Sequence, residues 1–435
     1  KERGILKRNA PHLVQDLSFV IPTYDWWASP FYGIGMKIYD MMAGKLGLGK
    51  SEIISKEETE KLIPNISKKG LRGGVIYHDG QFDDSRMAIT LALSADSKKT
   101  TLLNYCNVEG LIKKDGEIIG LNFTDLINSK KYQIKSKVVI NATGVFAEEI
   151  IRMDQPKIEK MIQPSQGVHI VLERRFLKSK HAILIPQTSD GRVLFAVPWK
   201  NYVVVGTTDT HVKKASEEPK ALNEEIDFIL KNAGKYMSVK PKRDDIKSVF
   251  AGLRPLAATS NKQSTKEVSR SHKIDISPSG LISVLGGKWT TYRKIAEDAL
   301  NTAISINKLK KKKCKTERTK LFGFKRNVSW SDPMHVYGSM KKKVESLGGI
   351  NDNKSLSKKF YISNNIIEWS IIHEMALTVE DILARRTRCV FLDSKESKRI
   401  SPVVAQKMAD VLGEDDKWID AELKKFNKLI KNYIV

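Results

Sequence analysis

Cysteine is scarce in this chain: 435 residues carry three, Cys106, Cys314 and Cys389. So few, so widely spaced, exclude a disulfide framework and a thiolate metal cluster, and they fit a reducing compartment. Long apolar runs are also missing. No stretch approaches the roughly 18 apolar residues of a membrane-crossing helix. The amino end, Lys1 to Arg8, has an early acid and no apolar core, so it resembles neither a signal peptide nor a transit peptide. It opens without methionine, which points to a processed, trimmed or fragmentary chain. His169, His181, His211, His272 and His373 stand apart, with no His-x-x-x-His or Cys/His grouping, so no metal site is expected. Ser165-Gln166-Gly167 is not a nucleophile elbow, and no serine context selects a catalytic triad.

Acid is in short supply against base. Lys and Arg number 75 against 50 Asp and Glu, a formal charge of +25. Such a field attracts polyanions, phosphate metabolites included. The lysines are spread widely, and their densest run is Lys308-Leu309-Lys310-Lys311-Lys312-Lys313-Cys314-Lys315. No recognition helix, finger spacing or aromatic-basic platform accompanies it, so no specific nucleic-acid partner is expected. A solvated loop is the first reading of this run and contact with an anionic membrane surface the second. With 41% hydrophobic residues the chain is long enough for two or three packed domains.

Aromatic residues crowd one early region: Tyr24, Trp26, Trp27, Phe31, Tyr32 and Tyr39. Core or subunit packing is the bland explanation, and a membrane interface or an organic ring is the sharper one. Asp79-Gly80 reads as a turn, with His78 bonding to it, ahead of a helix over Met87–Leu93. His169–Leu172, Ile183–Ile185, Val193–Val197 and Tyr202–Val205 read as short strands, with a hairpin turn at Asp190-Gly191. Asn223 is placed to cap a helix. Asn365-x-x-Glu368 forms a capping-box pattern, and Ser401-Pro402 signals another helix start. Glu148, Glu149 and Asp154 read as solvated acids.

Two junctions carry ligand chemistry. Leu281–Leu285 form an apolar strand that runs into Gly286-Gly287-Lys288-Trp289-Thr290-Thr291, followed by a helical pattern through Ile295, Ala299 and Ala303. The glycines admit close backbone approach, and amide groups at a helix start attract anions. A tight turn is the alternative. Val138–Ile140 likewise lead through Asn141-Ala142-Thr143 to Gly144, as at the carboxyl edge of an α/β sheet. Arg254, between a strand and Pro255, is suited to bidentate phosphate binding. Lys288 is a second cation, and His169 is a proton-transfer candidate near neutral pH. For each residue taken alone, a salt bridge, a surface lysine or a core histidine competes.

Taken in order, several segments resemble flavin-dependent glycerol-3-phosphate dehydrogenases, the mitochondrial form above all. They are Ala10–Val14, Tyr77–Met87, Asn141–Gly144, Pro164–Ile170, Ile185–Arg192, Gly206–Asp209, Gly252–Leu256, Gly286–Arg293 and Ala384–Arg388. The resemblance spans nearly the whole chain. It implies an α/β fold: a Rossmann-like FAD domain assembled from noncontiguous segments, an antiparallel substrate sheet and a helical carboxyl-terminal domain. The boundaries drawn are 1–160 for a partial FAD domain with substrate-domain elements, 161–256 for the substrate sheet and 257–307 for the return to the FAD domain. A basic linker over 308–325 and a helical domain over 326–435 complete the chain.

The implied reaction oxidises sn-glycerol 3-phosphate to dihydroxyacetone phosphate, with hydride passing to flavin N5 and electrons to a membrane quinone. The resemblance assigns His169, Arg254 and Lys288 to catalysis, and the same three with Thr290 to substrate. Ala142, Thr143, Gly144, Gly286, Gly287, Lys288, Thr290 and Thr291 are assigned to FAD. It implies a peripheral protein of the mitochondrial inner membrane, or of the cytoplasmic membrane in a bacterium, with a homodimer admissible. Oxygen in place of quinone, as in a glycerol-3-phosphate oxidase, is the near alternative. Family members open with a Gly-x-Gly-x-x-Gly segment and an arginine-containing segment that are not found here. The expectation is therefore weakened FAD retention, with a noncatalytic basic interaction fragment as the remaining alternative. No EF-hand extension is expected after Val435.

Overall fold

The computed structural model describes residues 1–26, 28–43, 47–258, 271–307 and 309–435. Trp27 and Lys308 lie outside the described residues. The chain opens with α1 (Glu2–Asn9), β1 (Gln15–Thr23), α2 (Ala28–Ala43), β2 (Glu52–Ser55), α3 (Lys56–Leu62), β3 (Gly73–Gln81) and α4 (Asp84–Asp96). A meander of β4 (Cys106–Lys114), β5 (Glu117–Asp125) and β6 (Lys130–Lys135) precedes β7 (Ile140–Asn141) and α5 (Ala147–Asp154). Then come β8 (Ile162–Glu173), β9 (Ala182–Ile185), β10 (Leu194–Trp199), β11 (Tyr202–Gly206), β12 (Thr210–His211), α6 (Asn223–Ala233) and β13 (Ser248–Ala257). β14 (His272–Ile276), β15 (Ile282–Gly286) and α7 (Tyr292–Ile306) follow. The chain ends with α8 (Lys341–Glu345), α9 (Asn364–Glu374), α10 (Cys389–Leu392), α11 (Ser394–Leu412) and α12 (Asp416–Leu429). Among the described residues no helix is long and apolar enough to cross a membrane.

The main sheet has nine strands in the order β12-β8-β11-β10-β9-β1-β3-β2, with β13 on the other edge of β8. Strand alternation sorts β8 into two faces. Val168, Ile170 and Leu172 point into a core closed by Ile226 and Ile229 of α6. Gly167 and His169 point the other way, and beyond them Val171 meets the carboxyl-terminal helices at Val390 and Leu392. A second sheet, β14-β15-β7, holds β7 parallel to β15 through the pairs Ile282–Ile140 and Ser283–Asn141. Each of these two strands runs through a glycine turn into a helix, α5 or α7. This is the Rossmann-like unit, and its carboxyl ends lie side by side. The main sheet, antiparallel except where β1 runs parallel to β9, and the helical carboxyl-terminal region complete the expected α/β architecture.

Several local expectations are corrected. Asp79-Gly80 is no turn: both lie in β3, paired with Leu17 and Asp16 of β1, and His78 bonds Asp16 across the ladder at 3.0 Å. Asn223 is the first residue of α6, not its cap. Leu222 holds that place, and Glu225 accepts its amide at 3.0 Å. In α9 the cap is Ser363, while Asn365 turns its amide to the Glu345 carbonyl at 3.0 Å. Pro402 does not start a helix but lies inside α11, which Asp393 caps. The Lys398 carbonyl, denied an amide by Pro402, accepts the Ser401 hydroxyl at 2.9 Å instead. Asp154 is buried, not solvated: Lys113 pairs with it at 2.6 Å and Ser279 donates to it. Glu148 accepts the amides of Met161 and Ile162, which ties α5 to β8.

Candidate active site

The site grows from three antiparallel strands whose register brings distant residues onto one face. On β8 and β13, His169 pairs with Phe250, Gly167 with Gly252 and Ser165 with Arg254. On the other side of β8, His169 pairs with Gly206 of β11. Directly paired side chains of an antiparallel ladder share a face. The glycines are therefore what leaves room on this one. A Cβ at Gly167 would lie 2.5 Å from Nη2 of Arg254 and 2.6 Å from Oγ1 of Thr207. At Gly206 it would strike the His169 ring. At Gly252 it would meet nothing within 4 Å, so the face is open there.

Arg254 folds back over Gly167. Its Nη1 donates to the Thr208 carbonyl at 3.2 Å, and its Nη2 donates to the Thr207 hydroxyl at 3.2 Å. Asp209 stands 3.5 Å from Nη1, and Ser165 donates to Asp209 in turn. Buried Glu225 anchors this loop by accepting from the Thr208 and Thr210 hydroxyls. The result is a fixed guanidinium with a hydroxyl beside it, the chemistry of a phosphate or carboxylate site.

His169 is half-buried and stacks on Phe250 with centroids 5.2 Å apart and planes 15° apart. Burial, then the Arg254 charge, lowers its pKa to about 4, while Asp84 pulls upward. The imidazole is therefore neutral at pH 7 and able to accept a proton.

The two glycine turns border this face. The Gly144–Phe146 turn lies against β8, β13 and β15. Its Gly144 has φ of +62° and an open Cβ position. Asn141 fixes the turn by donating to the Ala147 carbonyl at 2.9 Å and accepting the Thr143 hydroxyl at 2.8 Å. Ala142 and Thr143 are exposed beside it. Gly286 and Gly287 have φ of +69° and +95°, and Ala257 at the end of β13 packs against Gly286. Lys288, Trp289 and Thr290 are exposed, and Thr291 donates its hydroxyl to the Lys288 carbonyl at 3.0 Å.

Residues at the carboxyl ends of two parallel strands, with open space where a side chain would project at Gly144 and a close-packed second turn at Gly286-Gly287, fit a flat dinucleotide-type cofactor. Of the predicted site residues, Arg254 and His169 share one electrostatic neighbourhood. Lys288, Thr290 and Thr291 lie on the glycine turn beyond the end of β13.

Sequence reasoning missed Thr207, Thr208 and Asp209, although a hydroxyl-hydroxyl-acid run at the exit of a strand was a usable signal. It also assigned no site role to Asp84 and Arg388, although both lie in segments that carry the family resemblance. The Arg388 side chain reaches Asp84 at 3.2 Å and Ser85 at 2.8 Å from the far end of the sequence.

A family model described as FAD dependent oxidoreductase matches residues 3–293. A second, the C-terminal domain of alpha-glycerophosphate oxidase, matches residues 282–419. The chain is 33% identical to the mitochondrial glycerol-3-phosphate dehydrogenase of Bos taurus over 99% of its own length. It spans 63% of the length of that relative. Against the Schizosaccharomyces pombe enzyme of the same name it is 34% identical, covering 100% of this chain and 76% of that one. Its fold matches the glycerol-3-phosphate dehydrogenase of Bacillus halodurans, solved with FAD, at a TM-score of 0.82 and 24% identity, covering 100% of this chain and 85% of that one.

Proposed function

The chain belongs to the FAD-dependent glycerol-3-phosphate dehydrogenase family, and on that premise we propose that it oxidises sn-glycerol 3-phosphate to dihydroxyacetone phosphate and delivers the electrons to a membrane quinone. One observation carries the proposal. Arg254, fixed over Gly167, and His169, held neutral, share one face of the sheet beside two glycine turns, of which the one at Gly144 is open.

FAD, when bound, supplies the two-electron acceptor that takes hydride from substrate C2. Ala142, Thr143 and Gly144 on one turn, with Gly286, Gly287 and Thr291 on the other, are the residues that would hold it. Arg254, supported by Thr207, binds the phosphate group. Lys288 and Thr290 add a charge and a hydroxyl from the glycine turn. His169 accepts the C2 hydroxyl proton as hydride leaves, so that an alcohol becomes a ketone. The 435 residues contain no Gly-x-Gly-x-x-Gly, and we propose that this chain alone holds FAD weakly.

Trp26 is 78% exposed and Phe31 64% exposed, with Ile34 beside them, which supports peripheral contact with a bilayer edge. The exposed lysines Lys310–Lys313 and Lys315 support attraction to anionic lipid. The mitochondrial inner membrane is the proposed location.

The test is anaerobic. Purified chain is mixed with FAD, and the flavin absorbance is followed as sn-glycerol 3-phosphate is added. Bleaching with quinone reduction supports the proposal. Bound flavin that glycerol 3-phosphate does not bleach overturns it, and no bound flavin leaves the noncatalytic reading. The glycerophosphate oxidase description of the carboxyl-terminal match favours one second reading, oxygen as acceptor. Stoichiometric peroxide in air would select it.

A further inference from the structure

Resting on that reading, we infer that Glu225 is the positioning residue of the phosphate site: it holds Thr208 from behind the sheet, and Thr208 holds Arg254. Glu225 lies in the first turn of α6, next to the core residue Ile226, and is 5% exposed. Gln166 of β8 reaches it from the core face of the strand. Arg254 lies on the opposite face, over Gly167. The chain at Thr207-Thr208 passes between the two. Thr207 turns its hydroxyl forward, where it accepts from Nη2 of Arg254 at 3.2 Å. Thr208 turns its hydroxyl back, donating to Oε1 of Glu225 at 2.9 Å and accepting the Val168 amide at 3.0 Å. With that side chain locked, the Thr208 carbonyl faces forward and accepts from Nη1 of Arg254 at 3.2 Å.

Capping of α6 does not account for this carboxylate. The Leu222 amide needs one oxygen, and Oε2 accepts it at 3.0 Å together with the Gln166 side-chain amide at 2.8 Å. Oε1 takes no part in the cap. It accepts the Thr208 hydroxyl and, at 2.6 Å, the Thr210 hydroxyl. Four donors thus converge on one buried group, and a carboxylate, an acceptor at both oxygens, serves them all. A glutamine here has to turn its NH2 toward one pair of donors. Toward Leu222 it meets a backbone amide that cannot reverse. Toward Thr208 it displaces the hydroxyl proton, and the Val168 amide, itself a donor, cannot take that proton. Both arrangements bury an unmet donor, which the Thr207-Thr208 segment relieves by moving. The carbonyl that fixes the guanidinium moves with it.

The guanidinium can be read without FAD. The full chain is isotope-labelled at the arginine guanidinium nitrogens, and Arg254 is assigned by NMR with Arg254→Lys. Separate Nη1 and Nη2 signals are expected in the wild type, because each nitrogen has its own acceptor, and in Glu225→Gln they should merge. Signals that stay separate overturn the inference, whether or not ligand binds. Calorimetry of sn-glycerol 3-phosphate into the same FAD-free chain should show binding about tenfold weaker in Glu225→Gln and in Thr208→Val. The double variant should bind about as well as either single one, because both act through one contact. A further tenfold loss, roughly the additive result, would show that Glu225 works by another route and overturn the claim. Thr208→Ser returns the hydroxyl and should recover binding to within about twofold. No recovery overturns the role of that hydroxyl, and this pair decides the matter if Glu225→Gln does not fold. In FAD-loaded protein, Glu225→Gln should raise KM about tenfold and lower kcat by less than about twofold, whereas a merely structural loss would lower kcat and leave KM. A wild-type chain that binds no glycerol 3-phosphate counts against the proposed function, while the guanidinium signals still decide on Glu225.

Discussion

Gly167→Ala isolates the role of Arg254 without touching its charge. The added methyl would lie 2.5 Å from Nη2 and 2.8 Å from Cζ of Arg254, and 2.6 Å from the Thr207 hydroxyl. All three atoms belong to side chains that can move, and no backbone atom is among them. The guanidinium should therefore yield rather than the strand, leaving the bonds to Thr207 and to the Thr208 carbonyl. The stability cost should stay within about 1 kcal/mol. Binding should suffer more. Hydrogen bonds to charged groups contribute about 1.5–3 kcal/mol each, so losing one at the phosphate costs about that much. That is roughly tenfold to 150-fold in Kd. Titration calorimetry of sn-glycerol 3-phosphate into the FAD-free chain, beside a melting curve, reads both quantities. Wild-type affinity at wild-type Tm would refute the claim that this guanidinium binds the phosphate. A melting point lowered by more than about 10 °C would refute the claim that the side chain gives way before the strand.

Gly252→Ala, on the same face with nothing within 4 Å of the new methyl, should leave the FAD-free Tm unchanged and weaken FAD binding at least about tenfold, by flavin fluorescence; equal FAD affinity would move the flavin off this face. Glu374→Gln strands the Arg86 guanidinium, whose side chain is 5% exposed, and should cost about 3–5 kcal/mol in urea unfolding, where a loss below about 1 would contradict the pairing. His12 is fully buried, and burial, then the charges of Arg86 and His335, lowers its pKa from 6.5 to about 4. The unfolded chain thus binds this proton first as pH falls, so stability should be lost between pH 6.5 and 4, by about 3 kcal/mol for this group; a His12→Gln chain that keeps the full slope would assign it elsewhere. Replacing Trp26 and Phe31 by Ser should reduce sedimentation with anionic vesicles and leave the Tm unaffected, and undiminished sedimentation would remove that surface from membrane contact.

The strands were legible where β-branched residues cluster, as in His169–Leu172 and Tyr202–Val205, because half-buried sheet selects those side chains. The two glycine junctions were legible for a related reason: glycine takes the positive φ found at 144, 286 and 287 without the steric cost that other residues meet there. Arg254 stood out as a lone cation beside Pro255 in an apolar run. The caps were misread because local propensity says which side chains suit a helix start, and tertiary contacts decide which are free to serve. Asn365 was recruited to Glu345 and Asn353, and Ser401 to the carbonyl freed by Pro402. Asp154 looked solvated because nothing near it in sequence announces Lys113 or Ser279. The support of Arg254 lies 45 to 47 residues upstream, and Arg388, the partner of Asp84, lies 304 residues downstream of it. Only the folded register brings either into view.

The buried pair between Arg86 and Glu374 closes a loop of 288 residues, and Arg293 reaches back 291 residues to Glu2. A ribosome releases the amino end first. The opening lobe is therefore made early, yet its buried arginine lacks its paired carboxylate, Glu374, until the last quarter of the chain emerges. Until then this lobe should exist as a loosely closed, protease-sensitive intermediate. Chains interrupted before residue 374 should be degraded rather than accumulate as a stable half-protein, which makes full-length synthesis itself a condition of survival.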